Sequence, residues 1–135
     1  MLHRLLRIYR YQVDSLLKVI EQLEQEHYVV RQRIYSLDRR KDQEVNNYQH
    51  SAYIFLLPSF LEAYKQERVR HISTLQFLEQ NLTEQRQQLD QQYAETKKVE
   101  ILLEQRALQT AQYYSQQQYK LQDDMHILRA DLSNY

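Results

Sequence analysis

The sequence predicts an all-α protein: a long antiparallel two-helix coiled-coil hairpin with a short apolar corner near residues 48–58. Three observations predict it. Leu2, Leu6, Tyr9, Val13, Leu16, Ile20, Leu23, His27, Val30, Ile34 and Leu37 recur at alternating spacings of four and three with only His27 polar. A period of 3.5 held in step this long keeps an apolar stripe on one side only if the helix coils about a partner. The composition is that of long helices, with no Gly, one Pro, no Cys, no Trp and about twenty Gln. A chain without Gly lacks the usual means of making hairpin corners and left-handed helix caps. Finally, the single Pro lies inside an apolar cluster between this seam and a second, noisier one.

The elements follow in order within a single coiled-coil hairpin domain over 1–135. Helix one covers about residues 2–47. Each buried Leu, Ile or Val on its seam contributes roughly 1.5–3 kcal/mol relative to exposure. After Leu37 the seam fails, because its next positions are Lys41 and Glu44 and the run Asp38-Arg-Arg-Lys-Asp42 is charged. That run reads as a solvated face, with a docking patch as the alternative. In the corner, Tyr48, Tyr53, Ile54, Phe55, Leu56, Leu57, Phe60, Leu61 and Tyr64 crowd together. They are expected to fold back and plug the end of the hairpin, the alternative being an exposed partner-binding tip. Pro58 is expected to push Leu57 out of the helical region. Ser59 with Glu62 then reads as a capping box.

Helix two covers about residues 59–132. Its seam reads Leu61, Tyr64, Arg68, His71, Leu75, Leu78, Leu82, Gln85, Leu89, Gln92, Thr96, Val99 and Leu103. It then slips by a stutter and resumes as Leu121, Met125, Leu128 and Leu132. Folding about residues 48–58 sets position 2 roughly opposite 104. Residues after about 105 must overhang, self-associate or be bound by another protein, because a lone Gln-rich helix frays in water.

Charge and chemistry exclude more than they assign. The 18 basic and 18 acidic side chains cancel, so nothing global suggests nucleic acid or an anionic surface. Residues 1–41 hold nine of the basic and five of the acidic groups, which leaves the rest acidic and lets the helices complement each other. The twelve Tyr read as packing with a wet hydroxyl end, since stacking on bases needs a basic groove. The absence of Cys fits a reducing cytosol. The longest apolar run, Ala52 to Leu57, is far too short for membrane insertion. Arg4, Arg7 and Arg10 give the start the look of a transit peptide, yet the heptad frame runs through it without a break. None of His3, His27, His50, His71 and His126 has the spacing of a helical zinc site. His27 reads as a tolerated polar layer. A phosphate loop would need Gly, and no nucleophile and base are paired, so the expectation is a non-enzyme without cofactors.

Several stretches of helix two carry a family likeness: Leu78-Glu79, then Leu82-Thr-Glu-Gln-Arg-Gln-Gln-Leu89, Lys97-Lys-Val-Glu100, Leu103-Glu-Gln-Arg106 and Gln118-Tyr-Lys-Leu-Gln-Asp-Asp124. In their order, and with this chain length and corner position, the chain resembles the central-stalk proteins of type III secretion. These comprise FliJ of the flagellar export apparatus and its YscO-type injectisome counterparts. The short, non-basic C-terminus is more similar to the injectisome members.

The resemblance implies a non-catalytic stalk that inserts into the pore of a hexameric secretion ATPase, promotes its assembly and activity, and links it to an export gate protein. It implies a cytoplasmic location, peripheral to the inner-membrane export apparatus, with secretion chaperones as further partners. By the same resemblance Leu2, His3, Arg4, Leu5, Arg7, Gln105, Leu121, Met125 and Leu128 would meet the ATPase ring. Phe77, Leu78, Asn81 and Gln85 would meet the gate. Two other classes compete with it. One is a chaperone or escort that binds export substrates along an apolar helical groove; the other is a plain coiled-coil scaffold.

Overall fold

The computed structural model describes residues 1–133. The chain is a helical hairpin: α1 (Leu2–Gln49) and α2 (Leu57–Ser133) pack against each other, joined by a turn and a short 3-10 helix, η1 (Ile54–Leu56). Each helix runs about two residues further toward the corner than the sequence suggests. The described residues divide into two compact units, one formed by residues 12–92 and the other by residues 1–11 with 93–133.

In the unit of residues 12–92 the core is the heptad seam. Ile20, Leu23 and Val30 of α1 are buried with Leu78 and Leu82 of α2, and Ile34, Leu75 and Leu89 pack against them. Val13 and Leu37 are buried on the same stripe. His27 is half-buried in its layer, and its Nε2 lies 3.1 Å from Glu79 Oε1. The polar layer is thus paired at the rim of the seam and not stranded in it. The pairs Glu24–Arg86 at 3.0 Å, His27–Glu79, and Asp38–Arg68 at 3.1 Å ascend α1 while they descend α2. That fixes the antiparallel direction. These exposed or half-exposed pairs add little stability each, so they serve register more than strength.

The frame does not stop at Leu37. Lys41, Glu44 and Tyr48 remain half-buried at the positions the heptad assigns them. Helix packing here is carried by long side chains lying on their neighbours and not by apolar residues alone.

The corner departs from expectation at three points. Leu57 is helical, at φ −59° and ψ −45°, and is the first residue of α2. Pro58 therefore stands in the first turn, where a missing N–H costs nothing. Ser59 lies within the helix, so it cannot be the cap of a capping box. No described residue has a positive φ. The reversal is made instead by a Ser51 N–H bond to Tyr48 O at 3.2 Å, by the Tyr53 N–H donating to Ser51 Oγ at 3.1 Å, and by the Leu56 N–H to Tyr53 O at 3.0 Å. A Ser turn and a 3-10 turn replace the glycine bend.

In the unit of residues 1–11 and 93–133, Leu6 of α1 is buried with Thr96 and Val99 of α2, while Leu2, Tyr9 and Leu103 are half-buried. Arg10 Nη2 donates to Glu100 Oε1 at 3.4 Å. Beyond Leu103, α2 continues without a covering helix, and every residue from Glu104 to Ser133 is exposed.

Candidate partner-binding surfaces

The first exposed surface is the start of α1. His3, Arg4 and Arg7 are exposed, whereas Leu2 and Leu5 are half-buried. The i, i+3 spacing of Arg4, Arg7 and Arg10 sets three guanidinium groups along one side of this helix. Arg10 is engaged by Glu100, which leaves Arg4 and Arg7 as exposed cations.

The exposed length of α2 is the second surface. Gln105 is exposed, and Leu121 (63% exposed), Met125, Leu128 and Leu132 form an apolar stripe at heptad spacing. All four expected ring contacts on α2 are therefore accessible.

The four expected gate residues are not one surface. Phe77 stands 66% exposed, but Leu78 is only 6% exposed, inside the core cluster, and Asn81 and Gln85 are half-buried along the seam. Leu78 is occupied by packing against α1 and cannot also face a partner. It sits on the seam frame, whereas Phe77 sits one position off it.

The corner tip also differs from expectation. Tyr48 and Phe60 do pack together, with ring centroids 5.8 Å apart, and Leu57, Leu61 and Tyr64 are half-buried. Tyr53, Ile54, Phe55 and Leu56 point outward, with Phe55 70% exposed. The base of the corner is plugged and its tip is open. A one-turn 3-10 helix is too short to fold both of its faces inward.

The charged run 38–42 is only partly a solvated face. Arg39, Arg40 and Asp42 are exposed, but Asp38 is half-buried. It accepts hydrogen bonds from the Tyr64 hydroxyl at 2.5 Å and from Arg68 Nε at 3.1 Å, and Lys41 Nζ lies 5.6 Å from the centre of the Tyr64 ring. The Tyr64 hydroxyl bond, assisted by Arg68, holds the Asp38 carboxyl below its ordinary value. The same bond raises the Tyr64 phenol above its own. This clasp stands where apolar seam residues run out.

The clasp stabilises the fold only while Asp38 is ionised and Tyr64 protonated. For a depressed carboxyl, stability is present above the ordinary value of 3.8 and is lost as pH falls through the lower folded value. For a raised phenol, stability is present below the ordinary value of 10.0 and is lost as pH climbs through the higher folded value. Tyr64→Phe is expected to cost about 1 kcal/mol near neutral pH, discounted for partial exposure. The difference from the parent should shrink toward pH 3 in urea titrations followed by circular dichroism. An equal difference at pH 3 and pH 7 would remove Asp38 from this account.

An open groove runs beside the seam, lined by Tyr28, Val29, Arg33, Arg40, Glu67 and His71. Its mixed apolar and charged walls suit a passing side chain or helix better than an enclosed small molecule. Among the described residues, no group of three or more His, Cys, Asp or Glu could hold a metal ion. No described helix is long and apolar enough to cross a membrane. Compared with known proteins, the chain matches no family model, no curated protein and no solved structure.

Proposed function

We propose that the protein is the non-catalytic central stalk of a type III secretion export ATPase, seated in the pore of the ATPase hexamer and linking it to the export gate. One observation supports this reading above the others. α2 continues from Glu104 to Ser133 as a fully exposed helix with an apolar stripe, next to an N-terminal turn that displays Arg4 and Arg7. A lone Gln-rich helix of that kind is marginal in water, and the pore of a hexameric ring would surround it on all sides.

The mechanism follows from symmetry. A single hairpin in a six-fold ring cannot contact six subunits alike. Its binding free energy then differs among subunit conformations, and by linkage it favours those conformations in which its contacts are best. The stalk turns over no substrate; it biases ring closure and the order in which subunits hydrolyse. The gate contact falls to Phe77 and the outward tip Tyr53–Leu56, since Leu78 is committed to the core.

The test is the activity and oligomeric state of a purified hexameric secretion ATPase with and without the protein. The expected result is more hexamer and faster hydrolysis. No change in either would reject the stalk reading and favour a chaperone or scaffold, the first of which should instead retain an export substrate in a binding assay.

A further inference from the structure

The exposed stripe of α2 has a second property, visible when its heptad frame is written out. Tyr114, Gln118, Leu121, Met125, Leu128 and Leu132 are spaced four, three, four, three and four apart, and all are exposed. Leu121 and Leu128 take d positions, where Leu suits a two-stranded coil, while Met125 and Leu132 take a positions with Gln118 as the one polar a residue, the kind that fixes register. The flanks then decide the partner. Asp124 falls at g and Arg129 at the e position five residues on, the pair that meets across a parallel, in-register dimer. Two symmetric copies form this ion pair twice. The segment 105–133 carries Arg106, Lys120 and Arg129 against Asp123, Asp124 and Asp131, so copies do not repel.

The antiparallel arrangement is disfavoured by the same residues. Setting Leu121 opposite Met125 of the second copy brings g beside g, and Asp124 then meets Asp124 of the second copy.

We propose that in the free protein the stripe Tyr114–Leu132 pairs with the same stripe of a second copy, parallel and in register, with Asp124 of each copy bonded to Arg129 of the other. The pairing rests on the exposed stripe and not on the stalk reading. Where the two meet, they compete: a ring that grips Leu121, Met125 and Leu128 must first separate the copies, so self-pairing limits how much stalk is free to engage.

The test is sedimentation equilibrium of the full chain from low micromolar to millimolar concentration, with no ATPase present. The mass should rise from 16.7 kDa toward twice that value. Asp124→Arg alone and Arg129→Asp alone should each weaken association about tenfold by setting like charges together, and the double variant D124R/R129D should restore it. Leu128→Cys, in a chain with no other cysteine, should oxidise to a disulfide-linked dimer, because equivalent d positions face each other only in the parallel register. A mass fixed at 16.7 kDa throughout, single variants that associate like the parent, a double variant that fails to recover, or no crosslink at position 128 would each overturn the proposal. These readouts are independent of hydrolysis, so the pairing and the stalk reading stand or fall separately.

Discussion

Leu82→Ala is expected to lower the unfolding free energy by about 2–3 kcal/mol, the low end of the range for buried Leu truncations. Leu82 is 5% exposed and packs with Ile20, Leu23, Val30 and Leu78 in the apolar core cluster of the seam. A two-helix coil has solvent on both flanks, so the vacated space is partly relieved by water and by shifts of neighbours, which holds the cost below that of a globular core. Leu121→Ala is the matched control: the same chemical change on the same helix at a 63% exposed position, expected to cost less than about 0.5 kcal/mol. Chemical denaturation at low micromolar concentration, where copies are apart, measures both. Equal losses at the two positions would contradict the assignment of the seam.

The second large effect is functional. Reversing Arg4 and Arg7 to Glu is expected to reduce stimulation of a hexameric secretion ATPase by tenfold or more, with the thermal stability of the protein nearly unchanged. Both side chains are exposed and off the seam, so the substitution leaves Leu2 and Leu6 in place. Under the proposed stalk reading, carboxylates placed where the guanidinium groups would meet the ring convert attraction into repulsion, and tenfold corresponds to only about 1.4 kcal/mol. A variant that stimulates as well as the parent would move the ring contact off the start of α1.

How much of this was legible in the sequence differs from one stretch to the next. The seam from Leu2 to Leu37 could be read because every frame position but one is apolar, and antiparallel register followed from where the single Pro falls. Glu24–Arg86 and His27–Glu79 lie close to the expected facing positions. The Asp38 clasp was obscured because a charged run suggests solvent. Its signal was on the other helix: Tyr64 and Arg68 occupy seam positions, and a cation in a seam needs an anion opposite it. The corner misled in the other direction. Apolar composition implied burial, but a reversal this short has one inner face, and Tyr53 to Leu56 are on its outer one. Leu78 was grouped with Phe77 through the family resemblance, although one residue on a helix is a rotation of about 100°. After Leu103 the apolar frame shifts in the sequence. Beyond it the apolar stripe is left uncovered by the chain itself.

Residues 104–133 are left uncovered by the chain itself, and under the proposed stalk reading an ATPase ring grips them. Amide hydrogen exchange tests it most directly, measured on the full chain at sub-micromolar concentration with and without the hexamer. The account predicts slow exchange along the buried seam in both conditions, and fast exchange over 104–133 that becomes slow when the hexamer is added. Exchange over 104–133 that stays fast in the presence of a hexamer that demonstrably binds the protein, with new protection only elsewhere, would contradict it.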